Sequence, residues 1–195
     1  MPLSFDPDRP TYISFEGNVD TFSTNELNVI LGQLVHGGAK EIQLGISSEG
    51  GDVSKGNQLY SFLRSLPIDL TTHNIGDVDS IANVIFLAGK RRYANSNARF
   101  MLHGVARRIK ARDGFVSLGE QELMEALEYV RKDHQRIAKT IAKHTKLTTR
   151  KIVDMFRRGD VIFTPAEAES VGMIHGVKEW IVSQGSNVFT VHNTA

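Results

Sequence analysis

Short strands and amphipathic helices alternate from the start of this chain, and that alternation restricts its fold more than any other feature. Tyr12-Ile-Ser-Phe-Glu-Gly17 has strand character and closes on a glycine. Ser23-x-x-Glu26 has the form of a capping box, ahead of Leu27, Ile30, Leu31 and Leu34 at helical spacing, and Gly37-Gly38 stops that helix. Residues 41–47 read as a second strand running straight into Ser48-Glu-Gly-Gly51. A second helix over 53–66 carries Leu59, Phe62, Leu63 and Leu66 on one side and ends before Pro67. Strands are expected at 68–72 and 98–102, with a buried helix at 80–87 between them. This pattern predicts crossover units and a mostly parallel sheet covered on both faces, an α/β fold.

The second half changes character. Residues 118–144 read as one long helix, with Leu123, Leu127, Val130, Ile137 and Ile141 on an apolar stripe. At about 1.5 Å per residue it would reach about 40 Å, more than a domain of this size needs, so its far end is expected to find apolar cover on another subunit. The alternative is a break near residues 132–135 and a fold-back. A short helix follows with Ile152, Val153 and Phe156, then Thr164-Pro-Ala-Glu167 combines a cap, a first-turn proline and a third-position glutamate. Residues 183–195 have weak pattern and are expected to fray.

Composition narrows the chemistry. The 195 residues suffice for one core, with 41% hydrophobic and 23% charged residues. The net charge of +1 argues against a nucleic-acid binder, and the basic run at 106–112 reads as a solvated loop. With no cysteine, disulfides, thiolate catalysis and Cys-ligated zinc are excluded. Seven histidines form no His-Glu-x-x-His cluster, so neither a metal nor a cofactor is expected. The opening residues lack the basic-then-apolar order of a signal peptide and no stretch approaches the roughly 20 apolar residues of a membrane span, so a cytoplasmic protein is expected.

Ser80 sits in Gly76-Asp-Val-Asp-Ser80-Ile-Ala82, where a strand is expected to pass into a helix. A serine there can hold its hydroxyl clear of the backbone near a helix amino end. Peptide hydrolysis needs a nucleophile, a base, a group that orients the base, and donors for the oxyanion. Ser80 can be the nucleophile, His103 the base and later the acid, and Asp160 the orienting carboxylate. Gly51 and Ile81 can supply oxyanion N–H groups, with Gly50 in support. Each residue also has an ordinary reading: Ser80 as a helix cap, His103 as a satisfied imidazole after a strand, and Asp160 as a turn cap.

Together these segments resemble the proteolytic subunit of the Clp protease, the ClpP family, and more loosely the signal-peptide peptidase A and crotonase proteins that share its fold. Ser48-Glu-Gly-Gly51 is similar to the family's Ser-Pro-Gly-Gly turn, and the segment at Ser80 to its Gly-x-Ala-Ala-Ser nucleophile motif. Asn97-Ala-Arg-Phe-Met-Leu-His103 resembles the strand that ends in the family's histidine, and the stretch from Asp160 to Gly172 its aspartate segment. The resemblance spans residues 12–177. It implies repeated β-β-α units in a single domain over 1–195, with a short amino-terminal arm at 1–10 and a handle region at 104–145 by which rings stack. It further implies Ser80, His103 and Asp160 as a triad, Gly51 and Ile81 as oxyanion donors, a peptide substrate, and a homo-oligomer built as heptameric or stacked rings.

Four departures accompany the resemblance. Glu49 stands where the family has proline, and Val78-Asp79 replaces a small pair before the nucleophile, so a carboxylate beside Ser80 either disturbs the site or faces away toward solvent or a neighbouring strand. Residues 104–114 read as an enlargement of the handle. The arm at residues 2–10 is shorter than the segment that docks an AAA+ unfoldase ring, which weakens the expectation of that partner. The leading expectation is a serine endopeptidase. Its rivals are a catalytically silent scaffold or regulatory subunit, favoured by Asp79 and Glu49, and crotonase-type acyl-coenzyme A chemistry at Gly50-Gly51.

Overall fold

The structure, a computed structural model, describes residues 3–106 and 118–193. Its elements run β1 (Thr11–Gly17), α1 (Thr21–His36), β2 (Glu41–Ser48), α2 (Val53–Ser65), β3 (Asp69–Asp79), α3 (Ala82–Phe86), β4 (Arg91–Ala94), β5 (Arg99–Leu102), α4 (Glu120–His144), α5 (Thr149–Arg158), β6 (Val161–Phe163), α6 (Pro165–Ser170) and β7 (Asn187–Asn193). The strands form one sheet in the order β6-β5-β3-β2-β1-β7, with β4 beside the first half of β3 and β5 beside the second. Every pairing is parallel except β5 with β6.

The order β1, β2, β3 steps steadily in one direction. Right-handed crossovers then put α1 and α2 on the same side of the sheet. That side presents Ile13, Phe15, Ile42, Leu44 and Ile46, which join Leu27, Leu31 and Leu59 of the helices in one buried core. Burying each such side chain stabilises the fold by about 1.5–3 kcal/mol. Among the described residues, the cover shown on the opposite side comes from the segment between α6 and β7. There Tyr12 and His73 meet Trp180 edge-on, at centroid distances of 5.3 Å each. Gly45 leaves room for the indole, since a Cβ on it would lie 3.1 Å from the Trp180 ring.

Several local expectations shift. The α1 cap is Asp20, with Ser23 as the third residue of the box, rather than Ser23 itself: Asp20 accepts from Ser23 N at 2.8 Å and Ser23 Oγ accepts from Asp20 N at 3.1 Å. The strand expected at 68–72 continues to Asp79 because β4 and β5 extend its ladder. Helix α4 runs unbroken for 25 residues, so the fold-back does not occur. Its carboxyl half is buried through Ile137, Ala138 and Ile141, whereas Leu123, Met124 and Leu127 remain exposed. Most of the basic run at 106–112 and most of the segment 104–114 lie outside the described residues.

The fraying expected at 183–195 is corrected by β7, which pairs with β1 over seven rungs and buries Val191 completely. Two asparagines bracket this ladder. Asn187 Oδ1 accepts from Asp6 N and its Nδ2 donates to Asp6 O at 2.7 Å, while Asn193 accepts from Asn18 N and donates to Asp20 Oδ2 at 2.8 Å. The polar ends, rather than an apolar run, fix the register, which is why alternation alone did not reveal a strand.

Candidate active site

Parallel pairing aligns the carboxyl ends of β2, β3 and β5 along one edge, and antiparallel β6 brings its amino end to the same edge. Such an edge is where open α/β sheets place their ligands. Gly50-Gly51 follow β2, Ser80 follows β3, His103 follows β5, and Asp160 precedes β6.

Ser80 is the one non-glycine among the described residues with positive φ, at 56°. That conformation costs an ordinary side chain roughly 1–2 kcal/mol, and it turns the serine out of the strand alternation at the entry to α3. Its N–H donates to Met101 O at 2.9 Å, two residues before His103. The side chain is half-buried, while Ile81 behind it is buried.

The glycine turn abuts this serine. A Cβ on Gly50 would lie 2.6 Å from Ser80 Cβ and 2.9 Å from Asp79 O, and Gly50 itself has φ of 93°. Gly51, at φ 147°, forms a parallel bridge with Val19 in which Val19 N donates to Gly50 O and Asp52 N to Val19 O, both at 2.7 Å. That pattern uses the groups on either side of Gly51, so its own N–H points away from Val19.

His103 and Asp160 are the residues next to the last β5–β6 rung, Leu102↔Val161, one on each strand. His103 is half-buried and Asp160 exposed. No hydrogen bond or ion pair joins any two of Ser80, His103 and Asp160 among the described residues. The backbone past His103 is held by α4: His134 Nε2 accepts from Val105 N at 2.8 Å, and its ring packs on Phe156 at 5.2 Å. Burial holds the His134 pKa below the usual range, which favours the neutral ring this acceptor role requires.

Asp79 faces the neighbouring strand. Its carboxylate accepts from Arg99 at 3.1 Å, and Arg99 also reaches Asp77 at 3.0 Å. The Asp79 side chain is only 3% exposed. Burial raises its pKa against the pull of Arg99, and Oδ1 has no hydrogen-bond partner among the described residues. Glu49 is exposed in the glycine turn.

Two contributors escape a reading by spacing: Arg99, which occupies Asp79, and Asn83, a fully buried amide beside Ser80 O and Met101 O. A polar residue inside the apolar run 81–87 was the one available signal, because a buried amide must find partners. Among the described residues no group of three or more His, Asp or Glu side chains is arranged to hold a metal ion.

The family model described as Clp protease matches residues 8–180. The chain belongs to the Clp protease family. A curated relative, the ATP-dependent Clp protease proteolytic subunit 2 of Corynebacterium efficiens, is 26% identical over 140 residues, which are 71% of this chain. The chain spans 66% of the length of that relative. Among solved structures, a point mutant of ClpP1 from Listeria monocytogenes superposes with a TM-score of 0.75 at 20% identity, covering 87% of this chain and 91% of the other. That likeness carries the ClpP/crotonase-like fold. Strand β7 lies beyond the residues matched to the Clp protease family.

Proposed function

We propose that this chain is a serine-type peptidase subunit of the Clp protease family, cutting unfolded or short peptides inside an oligomeric chamber. One observation carries the reading: Ser80, held at φ 56°, shares a sheet edge with His103, Asp160 and the Gly50-Gly51 turn. In this reading His103 removes the Ser80 proton as Oγ attacks the scissile carbonyl, then returns it to the leaving amine. Asp160 fixes the imidazole tautomer and stabilises its charged form. The Gly51 and Ile81 N–H groups receive the oxyanion, with Gly50 allowing the close approach. An extended peptide would add its backbone beside the glycine turn.

The triad is not closed in the single chain, so the active state requires the His103 and Asp160 side chains to turn toward each other. Assembly is the proposed trigger. The handle region at 104–145 contains α4, whose exposed Leu123, Met124 and Leu127 await apolar cover, and whose His134 grips the segment after His103. Stacked rings joined through this helix would couple assembly to the histidine. A single domain over 1–195 with an arm at residues 1–10 fits this organisation, and Leu3 and Phe5 of the arm pack against the core.

The open triad also favours a second reading, a silent or regulatory subunit. Asp79 lends it less support, since Arg99 engages that carboxylate. Treatment of the intact assembly with a fluorophosphonate, followed by peptide mapping, separates the two. A single adduct on Ser80, absent from Ser80→Ala, is expected; an unlabelled oligomer would establish the silent reading instead.

A further inference from the structure

We propose that Asn83 is a positioning residue that fixes both the nucleophile and its oxyanion donor, by tying the peptide between Ser80 and Ile81 to strand β5. This inference rests on the serine-peptidase reading above. The Asn83 Nδ2 donates to Ser80 O at 3.1 Å and to Met101 O at 2.9 Å. The backbone N–H of Asn83 donates to the same Ser80 carbonyl at 3.2 Å, and Ser80 N–H donates to Met101 O at 2.9 Å. Both peptide groups flanking the Ser80 Cα are therefore held, and both lead to one residue of β5, two positions before His103.

The geometry reaches the oxyanion site through peptide planarity. In a trans peptide the N–H points opposite to the C=O. The carbonyl that Asn83 grips belongs to the same peptide as the Ile81 N–H. Holding one end of that plane aims the other, so the amide sets the direction of the Ile81 donor. Without it, a peptide adjoining a residue at φ 56° has fewer restraints against rotation.

The side chain is suited to this task and to little else. Two acceptors must share one nitrogen, so the amide orientation is fixed by its partners. The consequence is that Oδ1 is left buried without a hydrogen-bond partner among the described residues. Asn83 is completely buried and is the sole polar side chain within α3. An apolar residue there would avoid the orphaned oxygen but would supply neither donor.

The test compares Asn83→Ala, Asn83→Leu and Asn83→Ser with the wild-type assembly, each well below its own melting temperature. Thermal unfolding, fluorophosphonate labelling of Ser80, and kcat and KM on a short peptide are measured together. The alanine and leucine variants are expected to lose about 10–100-fold in kcat, less than the roughly 10²–10³-fold of a donor removed outright because the Ile81 N–H is misaimed rather than lost, while KM stays nearly constant. Serine keeps one donor and is expected to recover part of the loss. A purely structural role would lower the melting temperature while leaving kcat of the folded protein intact, and that result would overturn the inference. Should the alanine and leucine variants not fold, the serine variant decides by the same split of kcat against KM. If wild type labels at Ser80 and the variants label equally fast, the inference alone fails; if wild type does not label, the peptidase reading falls and takes the inference with it.

Discussion

Leu102 and Val161 form the last rung of the antiparallel β5–β6 ladder, so His103, which follows the one, and Asp160, which precedes the other, leave the sheet from neighbouring strands. The pairing explains how residues far apart in the chain come to the same edge as Ser80. Asp160→Asn would preserve the side-chain shape but remove the charge proposed to stabilise an imidazolium. A fall in kcat of roughly 10²–10⁴-fold is expected, with the melting temperature little changed because Asp160 is exposed. Full peptidase activity in Asp160→Asn would remove the aspartate from the mechanism.

The contact between Gly50 and Ser80 gives a second prediction. A methyl group on Gly50 would meet Ser80 Cβ at 2.6 Å and would also strain a residue at φ 93°. Gly50→Ala should cost about 1–3 kcal/mol of stability and reduce turnover of the remaining folded protein at least tenfold. Denaturant titration and steady-state kinetics on the same preparation check both halves. Unchanged turnover would mean the glycine turn does not border the reacting carbonyl.

Arg92 provides a prediction about the core. Its side chain is buried and donates to Met173 O at 2.7 Å, Gly89 O at 3.1 Å, Gly172 O at 3.2 Å and His144 O at 3.3 Å. It therefore joins the β4 edge to the ends of α4 and α6. Arg92→Met leaves these carbonyls without their donors, each buried one costing about 1–3 kcal/mol where water cannot replace the bond. A loss of at least about 3 kcal/mol by chemical denaturation is expected. Arg92→Lys should recover only part, because an ammonium cannot span the same fork of acceptors. A Met variant as stable as wild type would show that water satisfies the carbonyls.

His144 makes stability depend on pH. Burial, reinforced by Arg92, Arg64 and Lys143, pushes its pKa from 6.5 down to about 4, and the ring shares a hydrogen bond of 2.7 Å with Tyr60. The unfolded chain then takes up a proton more readily than the folded one. The contribution of His144 is complete above pH 6.5 and is lost progressively as pH falls toward 4. Burial shifts His73, His134 and His175 in the same direction, so acid destabilisation is shared. His144→Gln should make the fall in melting temperature across this window shallower without abolishing it. An unaltered slope would exclude the His144 ring from the titration.

Local signals announced the first half of the fold. Gly37-Gly38 and Pro67 marked the ends of α1 and α2, and the crossover pattern implied parallel strands. The cap of α1 was displaced to Asp20 because several polar residues compete near a helix start, and only the backbone decides which one is outside it. The two faces are covered differently for a topological reason: strands added in one direction keep right-handed crossovers on one face, and Trp180 lies on the other. Strand β7 escaped because its register depends on Asn187 and Asn193 meeting partners near the opposite end of the chain.

By itself the sequence determined which residues can do chemistry: a serine at a strand-to-helix turn, a histidine closing a strand, an aspartate opening another, and two glycines free of side chains. Residue type and local propensity are properties of short windows, so they survive without the fold. Tertiary structure alone decided which groups face each other. It brought His103 and Asp160 to the same end of the β5–β6 ladder, turned Asp79 to Arg99, and placed Asn83 between Ser80 and Met101. Those outcomes follow from strand pairing and burial, which are settled by contacts distant in the chain.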